Sequence, residues 1–126
     1  MPHRVLIVDD DTNSAQALTS LLVTNGFTVT TAATTQDAMV ALNQQPADTI
    51  LLDIGLPYIT GDSFANILKL RHPRTRIIFV SGQYNMIDPE RFGHDTLFFK
   101  KPLDPETLLE ALNAPPLASS GPRHFD

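Results

Sequence analysis

Apolar residues fall along the chain in two alternating rhythms. Short runs at Val5–Val8, Thr49–Leu52, Arg76–Val80 and Thr96–Phe99 read as strands buried on both faces, and Phe27–Ala32 adds a weaker, alternating one. Between them, apolar positions recur at helical spacing. Ala15, Leu18 and Leu22 share a face, and Gly26 follows as a stop signal. Thr34 or Thr35 caps a segment carrying Ala38, Met39, Ala41 and Leu42, which ends before Pro46. A third helix near Asp62–Arg71 aligns Phe64, Ile67, Leu68 and Arg71. Asp104-Pro105-Glu106 reads as N-cap, N1 and N2 of a last helix with Leu108, Leu109 and Leu112.

Five such repeats predict an α/β fold, with a parallel sheet covered by helices on both faces and right-handed crossovers. The fourth repeat is irregular. Pro89 falls in the middle of Gln83–Asp95 and Gly93 follows, leaving room for a helix of one or two turns over Asp88–Phe92. The stretch 114–126, with three prolines, a glycine and two serines, reads as a flexible tail outside a domain over residues 1–113.

Composition narrows the class. A chain of 126 residues fits one domain, and 42% apolar with 18% charged residues is globular, not disordered. The absence of cysteine excludes a disulfide framework and any thiolate site. With a net charge of −5 and scattered Lys and Arg, the chain has no basic footprint for nucleic acid; Lys69, Arg71, Arg74 and Arg76 around His72 read as a solvated loop. No apolar run approaches the ~20 residues that span a bilayer, and no signal peptide is evident. These features point to a soluble cytoplasmic protein with neither nucleic acid nor membrane as partner.

Chemistry collects where the strands end, the edge at which ligands of open α/β sheets sit. The first strand runs into Asp9, Asp10 and Asp11, the third into Asp53, the fourth into Ser81 and the fifth into Lys100-Lys101-Pro102. Parallel strands bring these groups to one edge. Converging carboxylates need a counter-charge, and an all-oxygen donor set favours a hard cation such as Mg²⁺. A cation, an ammonium and a hydroxyl together suit a phosphoryl group, and a carboxylate can itself be the nucleophile. The bland readings are a helix cap and solvated charge at Asp9–Asp11, with Asp11 the cap in either case, a turn serine at Ser81, and a solvent-facing Lys100. His3, His72, His94 and His124 share no ligand spacing and read as surface residues.

The strings "VLIVDDD", "ILLDIGLP", "IIFVSG" and "FFKKPLDPETLLEAL", in this order and spacing, resemble the receiver domain of two-component response regulators over about Arg4–Asn113. The resemblance implies a doubly wound, flavodoxin-like five-stranded parallel sheet of order 2-1-3-4-5, here with a shortened fourth helix. It makes Asp53 the phosphoacceptor. It assigns Mg²⁺ to Asp9, Asp10, Asp53 and the backbone carbonyl of Gly55, with Asp9 acting mainly through water. Ser81 and Lys101 would bind the phosphoryl group, Phe98 would be the aromatic switch residue, and Pro102 would follow a cis peptide bond. Partners would be a histidine kinase or histidine phosphotransfer protein and an unknown downstream protein. With no DNA-binding or enzymatic output module after the last helix, a single-domain regulator or relay is expected, monomeric rather than constitutively dimeric. Its only catalysis would be self-phosphorylation and slow autodephosphorylation. A Mg²⁺-dependent phosphohydrolase of the haloacid dehalogenase kind is the enzyme alternative, but its Asp-x-Asp-x-Thr/Val motif meets Asn13 at the last place. A receiver that works without phosphorylation is a third reading; the missing acidic or lysine residue that marks it does not occur here.

Overall fold

The apolar runs pair side by side. The computed structural model describes residues 3–53, 67–72, 74–81, 97–100, 104–113 and 123–125. Strands β1 (Arg4–Val8), β2 (Thr28–Ala32), β3 (Thr49–Asp53), β4 (Arg76–Ser81), β5 (Leu97–Lys100) and β6 (Arg123–Phe125) form one sheet of order β2-β1-β3-β4-β5-β6. Every pairing is parallel. The first five follow the expected flavodoxin-like order.

Strand side chains alternate between two cores. Leu6, Val8, Ile50, Leu52, Ile77 and Phe79 face helix α2 (Thr35–Gln44), with its Ala38 and Leu42, and Leu68 in a helical stretch through residues 67–71. Val5, Ile7, Leu51, Ile78, Val80 and Phe99 face α1 (Thr12–Thr24) and α3 (Pro105–Asn113), which supply Ala15, Leu22, Leu108 and Leu112. Double-sided burial explains why these strands carry unbroken apolar runs.

Local chemistry sets the helix ends. Asp11 caps α1, its side chain accepting the N–H groups of Asn13 and Ser14, and Thr34 caps α2 by accepting from Asp37. At the far end of α1, Gly26 takes φ +92°, and Phe27 and Gly26 donate back to Leu22 and Val23. This left-handed close is one that only a residue without Cβ adopts freely. Asp104 accepts from the Thr107 N–H at the start of α3.

Three findings depart from the sequence reading, one of them at His3, which is half-buried and bonded between strands rather than a surface residue. A sixth strand, Arg123–Phe125, pairs with β5 at the end of what was read as a tail. Three residues after a proline-rich stretch are too few to show a period, so pairing alone defines this strand. And Arg76 is not in a solvated loop: it opens β4, and its guanidinium donates to the carbonyl of Ala111 on α3 at 2.6 Å. The fourth helix lies outside the described residues.

His3 ties three strands together at the amino ends. Its Nε2 shares a 2.8 Å hydrogen bond with Thr49 Oγ1, its ring packs edge-on against Phe27 at 5.2 Å, and its carbonyl accepts from Thr28. Burial pushes its pKa below the ordinary 6.5; Asp48 opposes that shift and Arg76 adds to it. Below pH ~6.5 the unfolded chain therefore takes up a proton that the folded one resists. The stabilisation is complete above that pH and is lost as pH falls toward the lower folded value. Urea melts across this interval should show a steeper loss for wild type than for His3→Gln. Parallel curves would mean that the ring titrates alike in both states.

Candidate functional site

Register decides what meets at the carboxyl edge. Val8 pairs with Ala32 and with Leu52, Asp53 pairs with Val80, and Ser81 pairs with Lys100, so β1, β3, β4 and β5 run out along one margin. The chain turns just past β1. The Asp9 N–H donates to the carbonyl of Ala32 at 3.0 Å, and the Asp9 carboxylate accepts the Asp11 N–H at 2.9 Å. These two bonds fold the acidic run over the end of the strand.

The three adjacent carboxylates thereby divide their work. Asp11 turns toward α1 and caps it, also accepting from the Ser14 hydroxyl at 3.1 Å. Asp9 is buried, at 6% exposure, and Asp10 is exposed. Asp9 and Asp10 meet the half-buried Asp53 with one carboxylate oxygen from each, all within 4.8 Å of one another. Like charges so close repel, and at least one lies out of water, where the repulsion is less screened. Three oxygens from two strand ends make a hard donor set that fits a small divalent cation, with further coordination positions open to backbone or water.

Three of the residues expected at the site are thus brought together: Asp9, Asp10 and Asp53. Ser81 ends β4 on the same margin, and Phe98 lies in β5 opposite Phe79. Gly55, Lys101 and Pro102 lie outside the described residues. Ala32 is a contributor that the sequence reading did not single out. It acts through its carbonyl, which any residue possesses, so no side-chain motif marks it.

A family model of the response regulator receiver domain matches residues 5–113. The chain belongs to this family. It is 35% identical over 88 residues to the TorCAD operon transcriptional regulatory protein TorR of Escherichia coli O157:H7, covering 70% of this chain and 38% of that protein. To the cell cycle response regulator CtrA of Brucella ovis it is 30% identical over 114 residues, covering 88% and 49%. The chain thus spans less than half the length of these curated relatives. Among solved structures, the CheY-like receiver domain from Methanospirillum hungatei superposes with a TM-score of 0.78 at 28% identity, covering 87% of this chain and 90% of that one.

Receiver domains serve two-component signalling, interact with histidine kinases or phosphotransfer proteins, and bind Mg²⁺ through acidic residues. They are not a classical enzyme family, so the phosphohydrolase alternative falls away. Among the described residues, no helix is long and apolar enough to cross a membrane.

The crowding of like charge in this receiver has a measurable signature. Asp10→Asn removes one exposed negative charge from the cluster. Its melting temperature in EDTA should rise above that of wild type, and Mg²⁺ should raise the melting temperature of wild type by mass action but that of the variant less or not at all. Thermal melts of both proteins, with and without millimolar Mg²⁺, check this. Equal Mg²⁺ shifts in the two would remove Asp10 from the cation site.

Proposed function

We propose that this receiver accepts a phosphoryl group on Asp53 from a phosphohistidine partner. The proposal is carried by the convergence of the Asp9, Asp10 and Asp53 carboxylates at the end of β1 and β3 in a chain of this family. In transfer, a carboxylate oxygen of Asp53 attacks phosphorus. A P–O bond forms as the P–N bond to the donor imidazole breaks, and the imidazole leaves with that electron pair, neutral when its other nitrogen bears a proton. Water later cleaves the acyl phosphate, releasing inorganic phosphate and restoring the carboxylate.

Asp9, Asp10, Asp53 and the Gly55 carbonyl would hold Mg²⁺, with Asp9 acting mainly through water; when bound, the ion neutralises charge on the phosphoryl oxygens. Lys101 supplies a second positive charge, and the Ser81 hydroxyl donates to a phosphoryl oxygen. The new group adds about −1.5 to −2 charge at neutral pH. Ser81 and Lys101 re-form around it, which biases the loops they stand on, and Phe98 follows by steric fit because its ring has no hydroxyl. A partner histidine kinase or histidine phosphotransfer protein loads the site, and a downstream protein reads the altered surface.

Intact-mass measurement after incubation with acetyl phosphate and Mg²⁺ tests the assignment. Wild type should gain one phosphoryl group, and Asp53→Asn should gain none. Chelation with EDTA should abolish the gain in wild type. An adduct that survives in Asp53→Asn would move the acceptor elsewhere. No adduct in wild type, together with no NMR response to beryllofluoride, would overturn phosphoacceptance altogether.

A further inference from the structure

The two margins of the sheet are built differently. On one side β6 lies against β5; on the other, β2 has no strand on its outer side among the described residues. Proteins normally blunt such an edge with charge, proline or a bulge. This edge has none of the three. Its five residues pair with β1 at consecutive register positions without a bulge, and Thr-Val-Thr-Thr-Ala contains neither proline nor charge.

Hydrogen bonding fixes which backbone groups point outward. Thr28 donates to His3, and Ala32 accepts from Asp9, so positions 28, 30 and 32 bond inward to β1. The alternation of a parallel ladder then turns the N–H and C=O of Val29 and Thr31 to the open side. Thr30 and Thr31 are both exposed, with Thr28 and Thr30 on the α2 face of the strand and Val29 and Thr31 on the α1 face.

The charge pattern indicates what fits there. From Thr12 to Gln36, through all of α1 and β2, the chain holds no Asp, Glu, Lys, Arg or His, although 18% of its residues are charged and its net charge is −5. A foreign partner of an acidic protein would be matched by opposite charges. In a two-fold contact, each residue near the axis meets its own copy, so any charge there faces its like and is penalised. The longest uncharged stretch of the chain thus flanks the bare edge, a pattern that suits self-contact.

We propose that the outer edge of β2 is a self-association surface, on which a second copy of this chain pairs antiparallel with its own β2. A two-fold axis at Thr30 sets Val29 opposite Thr31 in both directions, so that the outward groups of each copy are met by the other. The two sheets then become one continuous sheet. This surface is separate from the phosphoryl chemistry and does not depend on it.

Sedimentation equilibrium of the full chain, from low micromolar to millimolar concentration, tests the proposal. The weight-average mass of wild type should rise toward twice the monomer value. Thr31→Pro removes an outward N–H and leaves the inward ladder intact. Thr30→Lys places two like charges opposite each other at the axis. Both variants should stay monomeric across the range with an unchanged circular dichroism spectrum. A wild type that remains monomeric throughout would overturn the proposal and leave the edge to a foreign strand or to none. Folded variants that dimerise as wild type does would overturn it too.

Discussion

Parallel register is the constraint on which the rest depends. Because β1 and β3 run side by side in the same direction, with Val8 level with Leu52, the residues that follow them must emerge together. The strands are buried on both faces, so their polar successors have only the edge in which to reach water or one another. Hydrophobic burial thus does the electrostatic work of holding Asp9, Asp10 and Asp53 within 4.8 Å, at a separation that free carboxylates would avoid. A sheet covered on one face only would fix these ends less firmly.

Much of this is legible in the sequence, and what is not has physical reasons. The apolar runs mark β1, β3, β4 and β5 to within a residue or so because burial on both faces leaves a signal at every position, whereas the edge strand β2, with Thr30 and Thr31 exposed, shows only a weaker alternation. Placing Asp9, Asp10 and Asp53 together followed from the strand ends alone, once the strands were parallel. How three adjacent carboxylates divide their roles was less open to reading. Asp11 caps α1 while Asp9 is buried, and that split rests on the backbone bond from Asp9 to Ala32, which no residue type announces, together with the Asp9 carboxylate accepting the Asp11 N–H. Arg76 looked like one of a surface basic group; its bond to Ala111 spans β4 and α3, and a local reading cannot see it. The short β6 shows no pattern because three residues contain less than two periods.

The opposite ends of the same strands offset this crowding. There the polar groups are spent on internal bonds. The Arg4 N–H donates to Asp48 at 2.8 Å, the Thr75 hydroxyl donates to Ala47 at 2.8 Å, His3 bonds Thr49, and Arg76 reaches Ala111. Each joins elements far apart in sequence, so together they fasten the amino ends of β1, β3 and β4 to one another and to α3. At the carboxyl end, like charges gather instead. A fold that concentrates repulsion at one end of its sheet needs its cohesion to come from elsewhere: the two cores and this laced amino end. Separation along the strand axis keeps the two requirements independent, since a change of charge at Asp53 is four residues away from the bonds at Thr49 that hold the strand in place.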